Sequence, residues 1–110
     1  MSKVFPEPVT GLPRADVPLE GVTAYLSQGT GHQIVFMEFD RDVEVSAHSH
    51  GAQWGIVLEG TIDLTIGGVR RRYVRGDRYF IPAGVEHSAV IYAGYADATF
   101  FADPDRHRPK

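Results

Sequence analysis

From Gly21 onward the chain is interrupted about every ten residues by Gly, Pro or Asp, and the segments between are short and rich in Val, Ile, Phe, Tyr and Thr. That rhythm belongs to antiparallel strands returning through tight turns, in a sandwich or barrel. No segment carries a convincing helical period. Strands are expected over residues 22–28, 32–41, 54–59, 61–66, 69–75, 78–81, 87–92 and 96–102. In the fourth of these, Ile62, Leu64 and Ile66 alternate with Thr61, Asp63 and Thr65, so one face meets a core and the other meets water. Gly67-Gly68 then suits a two-residue hairpin, whose favoured turn needs positive φ at both central positions. About eight strands in some ninety residues predict an all-β fold, a small double-stranded β-helix or jelly-roll barrel.

A chain of 110 residues with 43% hydrophobic and 23% charged residues has the size and composition of one globular domain. Four prolines, Pro6, Pro8, Pro13 and Pro18, mark residues 1–20 as an extended arm. The barrel is expected over residues 21–103, and residues 104–110 read as a polar tail in which His107, between two arginines, is solvated. Ile34 to Phe39 is apolar on both faces except at Glu38, which predicts a second buried surface and, with the arm, a homodimer. The absence of cysteine excludes disulfides, thiolate metal sites and cysteine nucleophiles. No basic-then-apolar leader and no run long enough to span a bilayer are present, so a cytoplasmic location without membrane contact is expected. A net charge of −3 argues against nucleic acid as a partner. Arg70, Arg71, Arg72, Arg75 and Arg78 are read as a solvated edge that discourages strand pairing, with an anion clamp as the alternative.

The chemistry concentrates in three histidines. His48 and His50 are two apart, which in an extended strand places both rings on one face as a chelating pair. Further on, Pro82 and Gly84 form a tight turn that delivers His87 to the start of the next strand. His32 reads as a surface or rim residue. Trp54, Phe36, Met37, Tyr73, Tyr79, Phe80 and Phe100 read as barrel core, and Tyr25 and Tyr92 as the phenols to consider first as catalytic proton donors.

These spacings resemble the two motifs of the cupin superfamily of small β-barrels. Gly76, Pro82, Gly84 and His87 keep the intervals of the second motif, although Ile91 stands where the family has Asn. His48, His50 and Gly60 keep those of the first, with Asp42 in place of its opening Gly. The family's metal-binding Glu falls on Gln53, one residue nearer to His50 than the family spacing. Strict alternation would turn Trp54 to the metal face, so Gln53 reaches an ion only if the backbone turns or bulges around Gly51. The resemblance implies one divalent transition metal, Fe, Mn, Ni, Zn or Cu, held by His48, His50, His87 and Gln53, with Gln53 a weaker ligand or a neighbouring hydrogen-bond donor.

Glutamine in this slot resembles small cupins that ketonise unsaturated uronates. Three neutral imidazoles and an amide oxygen leave the charge of the ion uncompensated, so it attracts anionic ligands and keeps its Lewis acidity. The function implied is action on a small oxygen-rich metabolite, by metal-assisted enolisation or ketonisation of a sugar-acid or keto-acid substrate, or by oxygenation. The alternative is a non-catalytic cupin module that binds a small ligand or metal.

Overall fold

The computed structural model describes residues 2–110. One helical turn, α1 (Glu7–Thr10), precedes eleven strands: β1 (Ala15–Asp16), β2 (Val22–Gln28), β3 (Gln33–Phe39), β4 (Val43–His48), β5 (Gln53–Glu59), β6 (Thr61–Ile66), β7 (Val69–Val74), β8 (Arg78–Ile81), β9 (His87–Ile91), β10 (Ala96–Phe101) and β11 (Arg108–Pro109). A five-stranded sheet of order β2-β3-β10-β5-β8 faces a four-stranded sheet of order β4-β9-β6-β7. The expected all-β barrel is therefore present. The sequence rhythm missed β4, because Val43 to His48 is short and lacks the usual break, and it missed the helical turn in the arm.

The inner faces meet through Phe39, Val57, Ile62, Leu64, Ile81 and Ile91. Gly67 and Gly68 have φ of 56° and 84°, the left-handed values that the hairpin joining β6 to β7 requires. Across this hairpin Asp63 does not meet water as the alternation implied. It is 5% exposed, because Arg72 (2.8 and 2.9 Å) and Arg70 (3.1 Å) donate to its carboxylate together with the Tyr92 hydroxyl (2.6 Å). The Arg72 guanidinium holds the Asp63 carboxyl well below its usual range, with the Tyr92 hydroxyl second. β7 is the edge strand of its sheet, and its arginines lie exposed along it.

Both terminal segments pack onto the barrel. Phe5 sets its ring edge against Tyr25 (5.9 Å between centroids) and Phe36 (5.7 Å), covering one end of the five-stranded sheet's outer face. At the other terminus β11 pairs with β1. The buried Gln33 amide donates to the His107 carbonyl (2.7 Å) and accepts from the His107 N–H (2.9 Å). His107 is thus not solvated: its ring stands edge-on to Phe101 at 5.1 Å and its Nε2 is enclosed without a partner. Of the aromatic residues read as core, Trp54, Phe80 and Phe100 instead point outward and are exposed, since their partners on the strand ladder place residues 53, 79, 81, 99 and 101 inward.

Two measurements check this packing. A Cβ at Gly55 would collide with the Tyr79 ring, so Gly55→Ala is expected to lower stability by about 1–3 kcal/mol, read as a lower urea midpoint. Burial, then Arg106, lowers the His107 pKa to about 4 from 6.5. The unfolded chain therefore binds this proton first, and the stability that His107 contributes is present above pH 6.5 and lost as pH falls towards 4. Asp97, pushed up to about 6 by burial, acts in the opposite sense over an overlapping window. Wild type is accordingly expected to lose more stability between pH 7 and about pH 4.5 than His107→Gln; equal losses would contradict the burial of this ring.

Candidate metal centre

β4 and β9 pair so that His48 and His87 stand directly opposite each other, after a register shift between Val45 and His48. His50 follows in the loop beyond β4. Its carbonyl accepts from the Gly84 N–H (2.9 Å), so the turn built by Pro82 and Gly84 is tied to the His-x-His loop. The three rings converge, with centroids 4.3 Å apart for His48 and His87, 4.8 Å for His50 and His87, and 5.3 Å for His48 and His50. One ring nitrogen from each lies within 4.8 Å of the others, close enough that they could hold a single ion.

Each ring is oriented by its own backbone. The Nδ1 atoms of His48, His50 and His87 lie 2.9, 2.8 and 3.0 Å from the carbonyls of Ser46, Gly51 and Val85. A carbonyl only accepts, so these contacts place the proton on Nδ1 and leave each Nε2 with its lone pair free. Burial lowers the pKa of His50 and of His87 despite those backbone contacts, and Arg106 adds to the shift. The donor set therefore fits a divalent transition ion of the kind that imidazole favours.

Gln53 enters the same cavity because the chain bends at Gly51, where the N–H donates to Asp103 Oδ2 (2.8 Å) and a Cβ would strike that carboxylate. The one-residue shortfall is absorbed there, and Trp54 turns out to solvent. The Gln53 amide nitrogen donates to the Tyr79 hydroxyl (3.3 Å), so this contact does not use its carbonyl oxygen.

Around these groups lies a cavity of about 580 Å³ between the sheets. The four-stranded sheet lines it with Ile62, Leu64 and Ile91 beside His48 and His87, and the five-stranded sheet contributes Gln53, Tyr79, Asp97 and Thr99 among apolar residues such as Phe39 and Ile81. Arg106, His107 and Arg108 of the C-terminal segment complete the lining. Arg106 Nε is enclosed without a hydrogen-bond partner. Neither proposed phenol lines this cavity: Tyr25 is buried beneath Phe5 with Arg14 over its ring, and Tyr92 is tied to Asp63. His32 stacks on Phe100 at 4.9 Å, also away from the centre.

Sequence reasoning missed Asp97, Thr99 and Arg106. The first two had a readable signal, since Asp97, Thr99 and Phe101 alternate along one strand with Phe101 inward. Arg106 had none, because its place depends on where the C-terminal segment folds back.

Among solved structures, an RmlC-like cupin from Shewanella frigidimarina NCIMB 400 superposes with a TM-score of 0.76 at 23% identity, over 96% of this chain and 94% of that one. KdgF from Halomonas sp. gives 0.70 at 23% identity, over 83% and 87%. The salicylate 1,2-dioxygenase of Pseudoaminobacter salicylatoxidans, in a structure with gentisate, gives 0.70 at 17% identity, over 86% of this chain and 30% of that chain. No curated protein sequence matches. The family model for the cupin domain matches residues 34–101, which contain all three converging histidines, and the chain belongs to that family.

Proposed function

We propose that this protein uses a divalent metal held by His48, His50 and His87, with Gln53 as fourth ligand, to favour enolisation or ketonisation of a small carboxylate-bearing substrate. The observation that carries this reading is the convergence of one ring nitrogen from each of the three histidines on the wall of a cavity large enough for a metabolite. The resemblance at Gln53 to cupins that ketonise unsaturated uronates points to the same chemistry.

A metal bound here supplies Lewis-acid polarisation of a ligand oxygen. The imidazoles, fixed through Nδ1, present their lone pairs without reorganising. Arg106 lines the cavity beside the centre and supplies a cation there for a substrate carboxylate. Ile62, Leu64 and Ile91, on the same sheet as His48 and His87, line the cavity next to the centre with apolar surface that screens charge weakly, which strengthens each of these electrostatic contacts. Polar groups converging from both sheets around the three histidines favour catalysis over a purely apolar binding module.

Elemental analysis of untagged protein is expected to give close to one divalent ion per chain for wild type and none for a His48→Ala, His87→Ala double variant. Equal metal content would remove the centre. With metal restored, wild type is expected to speed ketonisation of an unsaturated uronate at least about a hundredfold over the double variant, equivalent to ~2.7 kcal/mol of barrier, followed by loss of the ultraviolet absorbance of the conjugated system. Oxygen consumption with no such acceleration would assign the centre to oxygenation instead.

We further propose that the chain pairs with a second copy through the outer face carrying Trp54, Phe80 and Phe100, which are 42%, 57% and 40% exposed. Light scattering after size exclusion is expected to give twice the 12.1 kDa chain mass, and a monomer mass would overturn the pairing.

A further inference from the structure

The cavity has a second polar feature that the metal chemistry leaves unused. On the inner face of β10, Phe101 lies against His50, with ring centroids 5.8 Å apart. Asp97 is four residues away on the same face, which at the rise of a strand is ~13 Å further along. Its carboxylate is buried, 5% exposed, and still lines the cavity. The Tyr95 hydroxyl donates to Oδ2 at 2.7 Å, while Oδ1 has no aligned partner. The hydroxyls of Tyr79 and Thr99 approach the same carboxylate. Opposite Asp97 on β5 stands Val57, so an apolar residue would suit this position without the cost of a buried, incompletely paired carboxylate.

We propose that Asp97 determines specificity by accepting, at Oδ1, a hydrogen bond from a hydroxyl on the part of the substrate remote from the histidines. The inference rests on the reading above, which places the substrate carboxylate at the metal and Arg106. Asp97 lies beyond an acetate-sized acid held there, on the side of the cavity towards which the body of a larger acid extends. The cavity then selects hydroxylated acids over acids with a bare hydrocarbon body, because a hydroxyl offers Oδ1 the donor it lacks and a hydrocarbon does not. Burial raises the Asp97 pKa to about 6, so at neutral pH the group is still an acceptor.

The test uses cobalt-loaded full-length protein and two ring acids of similar size, glucuronate and cyclohexanecarboxylate, with binding followed through the visible spectrum of the cobalt. Wild type is expected to prefer glucuronate at least tenfold. Asp97→Leu is expected to bring the ratio to about one with cobalt content unchanged. Asp97→Asn, which keeps one acceptor oxygen and the Tyr95 contact, is expected to lower it at least threefold and serves if the leucine variant does not fold. Normal cobalt uptake with no preference in wild type, or an unchanged ratio in a folded variant, overturns the role of Asp97 alone. Wild type that takes up no cobalt overturns the metal reading and this inference with it.

Discussion

The centre depends on the pairing of β4 with β9. That ladder joins two segments far apart in sequence and sets His48 opposite His87. His50 then arrives only because its carbonyl is held by the Gly84 N–H, in a turn where Gly84 has φ of 75°. Each ring's orientation is decided locally, by a carbonyl one or two residues away, and its position is decided by the sheet. Disturbing the turn would therefore separate the rings without changing their tautomers. Disturbing a carbonyl contact would misorient one ring without moving the others.

A barrel that keeps a cavity between its sheets forgoes part of the close-packed core that would otherwise stabilise it. Two clusters outside the central one offset this. Phe5, Tyr25 and Ala96 form one beneath the N-terminal arm, and Ala15, Ala24, Leu26, Val35 and Phe101 form the other, beside the strand where β1 pairs with β11. Phe101 belongs to that second cluster and also touches the rings of His50 and His107. The terminal segments are thus coupled mechanically to the centre: Gly51 is held by Asp103, and the backbone of residue 107 by Gln33.

Strand rhythm and turn glycines made the fold legible, because side-chain alternation and positive φ are local demands that a sequence must satisfy residue by residue. The three histidines were legible through local spacing as well, His48 and His50 by lying two apart in an extended segment and His87 by its fixed distance from turn-forming Pro82 and Gly84. Gln53 was ambiguous since its direction depends on a bend at Gly51, and that bend is stabilised by Asp103, more than fifty residues away. Arg106 and His107 were read as solvated because charge in a terminal stretch normally is. Their inward placement follows from the buried Gln33 amide, whose donor and acceptor are both satisfied by the returning backbone, and no local pattern announces such a partner. Trp54, Phe80 and Phe100 were misplaced by residue type: a large apolar side chain suggests interior, whereas the ladder puts those three positions outward.

The charge arrangement explains why the site should prefer anions. The histidines and Gln53 contribute no negative charge, and Arg106 adds a positive one close enough to lower the pKa of His50 and His87. Among the groups lining the cavity, Asp16 and Asp97 are the carboxylates, and Asp97 lies well down β10 from the ring of Phe101 that faces His50. A divalent ion placed among neutral donors with a guanidinium alongside has unmet positive charge, and in a cavity with apolar walls that charge is weakly screened. An anion bound beside such an ion would complete the site electrostatically. A carboxylate in the family's acidic position would compensate part of the ion's charge in advance, tightening the metal and weakening the hold on substrate. With glutamine in its place, a metal bound here would be held less strongly and an anionic ligand on it more strongly.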